Sequence, residues 1–223
     1  MMVNFILEAL LAIVPVIFAI TLHETAHGWA ALALGDTTAR DQGRLTLNPL
    51  KHIDRVGTVI LPGILLITQL LTIHRVVFMF GWAKPVPVSA WKFPNPRRYM
   101  AVVALAGPAM NFILACVTAL ALRTLVDVNA DVWVATILFD FILVNMVLGM
   151  FNLLPIPPLD GGRVVVGLLP EELARSWAGL ERYGIFIVLI AILVLPHVFG
   201  IDPIGDIFNN TVLPIALWLA GIS

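Results

Sequence analysis

The longest apolar runs in this chain are too long to be hidden in a soluble core. Between residues 5 and 34 the only ionisable side chains are Glu8, His23, Glu24 and His27. A membrane-spanning helix needs roughly 20 predominantly apolar residues, and this tract has room for one. Residues 99–122, 132–151, 183–198 and 203–220 are further candidates by length. Composition agrees: of 223 residues 60% are hydrophobic and only 12% charged, about half the roughly 25% usual in soluble domains. A soluble globule is excluded. With 13 basic and 14 acidic residues the net charge is −1, which leaves no basic patch for nucleic acid. The single cysteine, Cys116, rules out an internal disulfide framework and a Cys-rich zinc module. The N-terminus lacks the basic flank and small-residue cleavage site of a secretory signal, so the first helix is expected to stay in the membrane.

The expected fold is an all-α polytopic membrane protein of five to six transmembrane or re-entrant helices, with short extended segments near the polar residues of the core. It reads as one membrane-embedded domain over residues 1–223, with a core at 5–163 and C-terminal helices at 170–221. Residues 56–73 are ambiguous, because Pro62-Gly63 sits near the middle of an otherwise adequate span; a kinked or re-entrant segment fits as well. Residues 38–47 and 76–91 read as extended, the second carrying Pro85 and Pro87. Residues 170–180, opening on Pro170-Glu171-Glu172, read as a helix on the membrane surface. If 56–73 returns to its starting side, Arg40, Arg44, Lys51, Arg55, Arg75, Lys84, Lys92, Arg97 and Arg98 share one face. The positive-inside rule makes that face cytoplasmic.

His23-Glu24-Thr25-Ala26-His27 is an HExxH motif inside the first apolar helix. Residues i and i+4 share a helix face, so two imidazoles can reach one Zn²⁺ while the adjacent Glu reaches a water that the metal has acidified. That is the chemistry of amide hydrolysis at neutral pH. Three ionisable groups within five residues of an apolar helix are costly unless paired or metal-bound. A zinc hydrolase uses three protein ligands and an open fourth position. Asp160 is the candidate third, since Pro155, Pro157 and Pro158 break the chain just before it and Gly161-Gly162 follow. Both centres then fall in the cytoplasmic half of the membrane.

These residues resemble the site-2 proteases, intramembrane zinc metalloproteases. The resemblance is carried by HExxH at 23–27, by N-x-x-P-x-P-x-L-D-G at 152–161 and by G-P-x-x-N at 107–111. GDTTARDQGRLTLNP (35–49) and GWAKPVPV (81–88) also look like the compact prokaryotic branch, without the PDZ insertion or nucleotide-sensing domain of other members. The resemblance implies one zinc per chain on His23, His27 and Asp160, Glu24 as catalytic base, and Asn111 and Asn152 steadying the substrate strand or the oxyanion. It implies a transmembrane protein or peptide substrate within the lipid bilayer, cut near the cytoplasmic side of a prokaryotic cell membrane. Residues 76–91 are a candidate clamp for an unwound substrate.

A cation-binding transporter using the same His/Glu/Asp cluster is the rival reading, since broken helices and buried acids suit it too. The inverted repeats it would favour are not seen. A protease of another type, with Glu171, Glu172 or Glu181 as ligand, would need its third ligand from a polar segment. Asp140, mid-span and 20 residues before Asp160, reads as protonated or paired and not catalytic. His52, His74 and His197 read as interfacial, and the six tryptophans as an aromatic belt.

Overall fold

The computed structural model describes residues 2–75, 81–127 and 131–222, which form helices and connecting turns with no strand among them. The helices are α1 (Met2–Ala33), α2 (Thr38–Asp41), α3 (Leu61–Thr72), α4 (Pro96–Asp127), α5 (Val132–Asn152), α6 (Asp160–Leu168), α7 (Glu171–Ala178), α8 (Gly184–Leu189), α9 (Pro203–Ile207) and α10 (Leu213–Ala220). Four helical stretches among the described residues, 55–72, 96–125, 132–152 and 171–199, are long and apolar enough to cross a membrane. Their outer faces carry bare apolar side chains such as Leu71, Val117 and Leu120. Water would penalise that surface, whereas lipid does not.

Helix α4 is the central post and packs against α1, α5, α6 and α10. Small residues allow the close approach: Ala115 and Ala119 of α4 meet Ala216 and Ala220 of α10 around Ile142 and Met146 of α5. The helix expected at 170–180 is α7, opened by Pro170, and it belongs to the 171–199 stretch that is long and apolar enough to cross a membrane. The C-terminal segments are less regular than their hydropathy suggests, and 203–220 is not among the four stretches able to cross. Helix α8 runs into a π-helix at Ile190–Phe199, which ends at Gly200 with φ +66, and a second π-turn (Phe208–Val212) joins α9 to α10.

One local expectation is corrected. Residues 38–47 are not one extended segment: Thr38–Asp41 form a helical turn, and the Asp36 carboxylate just before it accepts the Thr38 N–H at 3.0 Å. Pro62-Gly63, left open above, lies inside one helical stretch: a π-turn over Arg55–Ile60 runs without a break into α3. Part of the second extended segment, residues 76–80, lies outside the described residues. Its described remainder, 81–89, is irregular chain with neither helix nor ladder pairing, followed by a 3₁₀ turn at Ala90–Lys92. By Trp82 the chain is back beside the start of the 55–72 helix: the Trp82 N–H donates to the Gly57 carbonyl at 3.1 Å and the Thr58 hydroxyl to the Trp82 carbonyl at 2.8 Å.

Candidate metal centre

His23 and His27 lie one turn apart on α1, and Asp160 is the first residue of α6. Their junction follows from local chemistry. Pro155, Pro157 and Pro158 stop α5 from continuing, and the chain folds tightly on itself before α6 begins. A Cβ on Gly161 would stand 2.2 Å from the Leu153 carbonyl oxygen, and one on Gly162 2.5 Å from the Pro157 nitrogen. Only glycine lets the Asp160 end of α6 sit there.

Three donor atoms converge. His23 Nε2 and His27 Nε2 are 3.1 Å apart, and Asp160 Oδ2 lies 3.1 Å from the first and 3.3 Å from the second. Metal–ligand bonds of about 2.0–2.1 Å in a tetrahedral zinc site place neighbouring ligand atoms about 3.3 Å apart. The Asp160 Oδ2 atom is buried and accepts no properly directed hydrogen bond, an expensive state that a metal ion relieves. These residues are the one group among the described His, Cys, Asp and Glu side chains placed to hold a metal. They fit zinc.

The far sides of both imidazoles are engaged. His23 Nδ1 bonds Asn111 Oδ1 at 2.6 Å and His27 Nδ1 bonds the Val103 carbonyl at 2.7 Å, both partners on α4. Both partners being acceptors, each Nδ1 carries the hydrogen and each Nε2 keeps its lone pair, the form a metal requires. Asn111 in turn donates to Asn145 Oδ1 at 2.8 Å, and Asn145 to the Phe141 carbonyl at 2.8 Å. Asn111 and Asn145 are both fully buried. Four helices thus meet at one polar knot.

An open cavity of about 810 Å³ adjoins the donors, lined among others by Glu24, Val86, Asn152, Asp160 and Arg163. Glu24 stands outside the three-atom cluster. Its Oε2 accepts the Val86 N–H at 2.9 Å. Asn152 faces the cavity and donates Nδ2 to the Leu148 carbonyl at 3.0 Å; Asn111 is not among the lining residues. Asp140 is half-buried on α5 and outside the cluster. His52 is buried and bonds the Thr46 carbonyl at 3.0 Å, while His74 and His197 are exposed. Sequence reasoning did not pick out Val103 or Asn145, and it gave Gly107 no role beyond its place in the G-P-x-x-N motif. For Asn145 a signal was present, a carboxamide seven residues before Asn152 within an apolar span. For Val103, whose contribution is a backbone carbonyl, there was none.

A model of peptidase family M50 matches residues 127–196. The chain is 38% identical over 190 residues to YwhC of Bacillus subtilis, named as a candidate zinc metalloprotease; the match covers 82% of this chain and 80% of that protein. Rip2 of Mycolicibacterium smegmatis, named likewise, is 31% identical over 188 residues, 84% of this chain and 68% of that protein. The zinc metalloprotease MJ0392 of Methanocaldococcus jannaschii is 34% identical over 70 residues, 31% of this chain and 20% of that protein. No solved structure gives a significant match.

Proposed function

The chain belongs to peptidase family M50, the site-2 proteases, and from that premise we propose that it cleaves transmembrane substrates within the bilayer, near the cytoplasmic side, in regulated intramembrane proteolysis. It is an integral membrane, zinc-dependent metalloprotease. We assign His23, His27 and Asp160 as the ligands of one zinc per chain, in a single domain spanning residues 1–223. The observation that carries this reading is the triangle of 3.1, 3.1 and 3.3 Å between two Nε2 atoms and one carboxylate oxygen.

When bound there, zinc supplies Lewis acidity that polarises the scissile carbonyl and acidifies a water. Glu24, facing the same cavity, takes the proton at its free Oε1 while Val86 holds Oε2. Asn152 keeps one Nδ2 hydrogen for the cavity after satisfying Leu148, and it steadies the carbonyl oxygen as that oxygen takes on charge. Asn111 acts behind the metal, orienting His23 through Nδ1, a placement that suits it better than contact with substrate. The clustering of basic residues at 40–55 and 75–98 supports the cytoplasmic assignment. The return of the chain to Gly57 at Trp82 supports a re-entrant excursion between them.

Elemental analysis and a cleavage assay on a single-span peptide, in the detergent-purified protein, test this together. Wild type should hold one zinc and cleave; His23→Ala should lose both. Zinc content unchanged in His23→Ala would remove the ligand assignment.

A further inference from the structure

Two stretches that carry no proposed ligand or catalytic side chain, 35–49 and 81–88, meet in the structure. Asp36 is fully buried just beyond α1. Its Oδ2 accepts the Ser89 N–H at 2.6 Å, and its Oδ1 pairs with Lys92 Nζ at 3.1 Å. Arg44, only 8% exposed, donates Nη2 to the carbonyls of Lys84 at 3.0 Å and Pro85 at 3.3 Å. The Lys84 N–H is taken by the His52 carbonyl at 2.8 Å. Between these anchors the Val86 N–H reaches Glu24. Residues 84–89 are therefore pinned at both ends by residues 36–52, and their centre touches the catalytic carboxylate.

The composition of this strap limits what else it can do. Pro85 and Pro87 carry no N–H, so residues 84–88 have three backbone donors, at Lys84, Val86 and Val88. Two of the three are spent, on His52 and Glu24. A substrate strand could not build a regular ladder on such an edge, which weakens the reading of this segment as a clamp by strand addition. What the strap does offer is one directed N–H to one oxygen of Glu24. A charge-assisted hydrogen bond of this kind sets the carboxylate's direction, and its own position is set by the anchors.

We propose that Asp36 and Arg44 are positioning residues for Glu24, acting through the backbone of residues 84–89. The proposal rests on Glu24 being the base of the proposed function. Neither residue is among those lining the cavity, so their influence on turnover passes through the strap. A misplacement of about 1 Å at a catalytic group can cost up to about 10² in rate, and a loosened strap misplaces Glu24 by a fraction of that. Asp36 is a fixed anchor. Burial alone would raise its carboxyl, but the Thr38 hydroxyl, the Ser89 and Thr38 N–H groups and the Lys92 ammonium outweigh burial and hold it at about 2. Arg44 serves two carbonyls from one nitrogen at the end of a rigid fork, which lysine reproduces only in part.

The test uses full-length protein in detergent, comparing wild type with Asp36→Asn, Arg44→Gln and Arg44→Lys. Zinc per chain, kcat and KM on a single-span peptide, and hydrogen exchange across residues 81–89 are measured. Expected are unchanged zinc, faster exchange in the strap, a kcat loss of about tenfold with KM shifted less than about threefold, and partial recovery in Arg44→Lys. Should Asp36→Asn not fold, the two Arg44 variants carry the comparison. Faster exchange with kcat intact overturns the proposal, and so does a kcat loss that tracks zinc loss. Wild-type protein that holds zinc but cleaves nothing would sink the proposed function instead. The coupling is then decided by exchange alone: Glu24→Ala, Asp36→Asn and Arg44→Gln must each deprotect the Val86 amide, and unchanged protection refutes it.

Discussion

Gly107 offers the sharpest test of how the metal centre is held, because two effects of opposite sign compete there. Gly107 lies in α4 with its Cα against both imidazoles. A Cβ at this position would stand 2.5 Å from His27 Cε1, 2.5 Å from His27 Nε2 and 2.6 Å from His23 Cε1. Non-bonded contacts are comfortable at about 3.5–4.0 Å, so each ring, or the helix itself, has to yield by about 1 Å. The rings cannot swing aside cheaply, since their Nδ1 atoms are tied to Asn111 and Val103 at 2.6 and 2.7 Å. Zinc tolerates departures of about 0.2 Å. Gly107→Ala should therefore weaken zinc binding by about 10–100-fold, as much as the loss of an outer-shell partner commonly does. The fold should survive. Alanine gains about 1 kcal/mol of helix propensity against about 1–3 kcal/mol of overpacking, a net loss of about 0–2 kcal/mol. Zinc retention against a graded chelator, with thermal unfolding in parallel, separates the two effects. Gly63→Ala is the control, because a Cβ there meets nothing within 4 Å; it should leave zinc and cleavage unchanged. Wild-type zinc affinity and turnover in Gly107→Ala would refute the close-approach argument.

Glu24→Gln should keep zinc and substrate affinity but lose about 10² or more in kcat, because the amide holds the shape and cannot take the proton; single-turnover cleavage checks it. Asn152→Ala should lower kcat more than it raises KM if its amide meets the developing charge; a loss confined to KM would make it a strand contact. Asp36 has its folded pKa held at about 2, below the ordinary 3.8, so its stabilising contribution is present above about pH 4 and is lost as the pH falls toward 2. The gap in thermal stability between wild type and Asp36→Asn should accordingly close between pH 5 and pH 2. Cysteines at Gln69 and Lys92, in a Cys116→Ala background, test the re-entrant excursion with an impermeant thiol reagent. Labelling of Gln69→Cys from outside and of Lys92→Cys from inside would establish a full crossing between them.

What the sequence by itself determined is what depends on short-range order and on solvent. Apolar runs too long for a soluble core marked the membrane. The i, i+4 spacing of His23 and His27 placed two ligands on one face, because the geometry of a single helical turn is local. The prolines before Asp160 announced a broken helix by the same local logic. Short-range reasoning misread the chain at residues 38–41, which are helical with the Asp36 carboxylate bonded to the Thr38 N–H just before the turn, and Asp36 is itself held by Ser89 and Lys92, some 50 residues further along. It left Pro62-Gly63 open, and the structure carries one helical stretch through it. The tertiary structure alone decided which groups stand behind and beside the ligands. Asn111 reaches His23 across 88 residues of chain, and Val103 reaches His27 across 76. The need for glycine at 107 arises only when α1 lies against α4, and the bond from Val86 to Glu24 only when the strap is drawn across the cavity. Those contacts depend on helix register and on the path of a returning segment. Both are set by packing between distant parts of the chain, which no local pattern records.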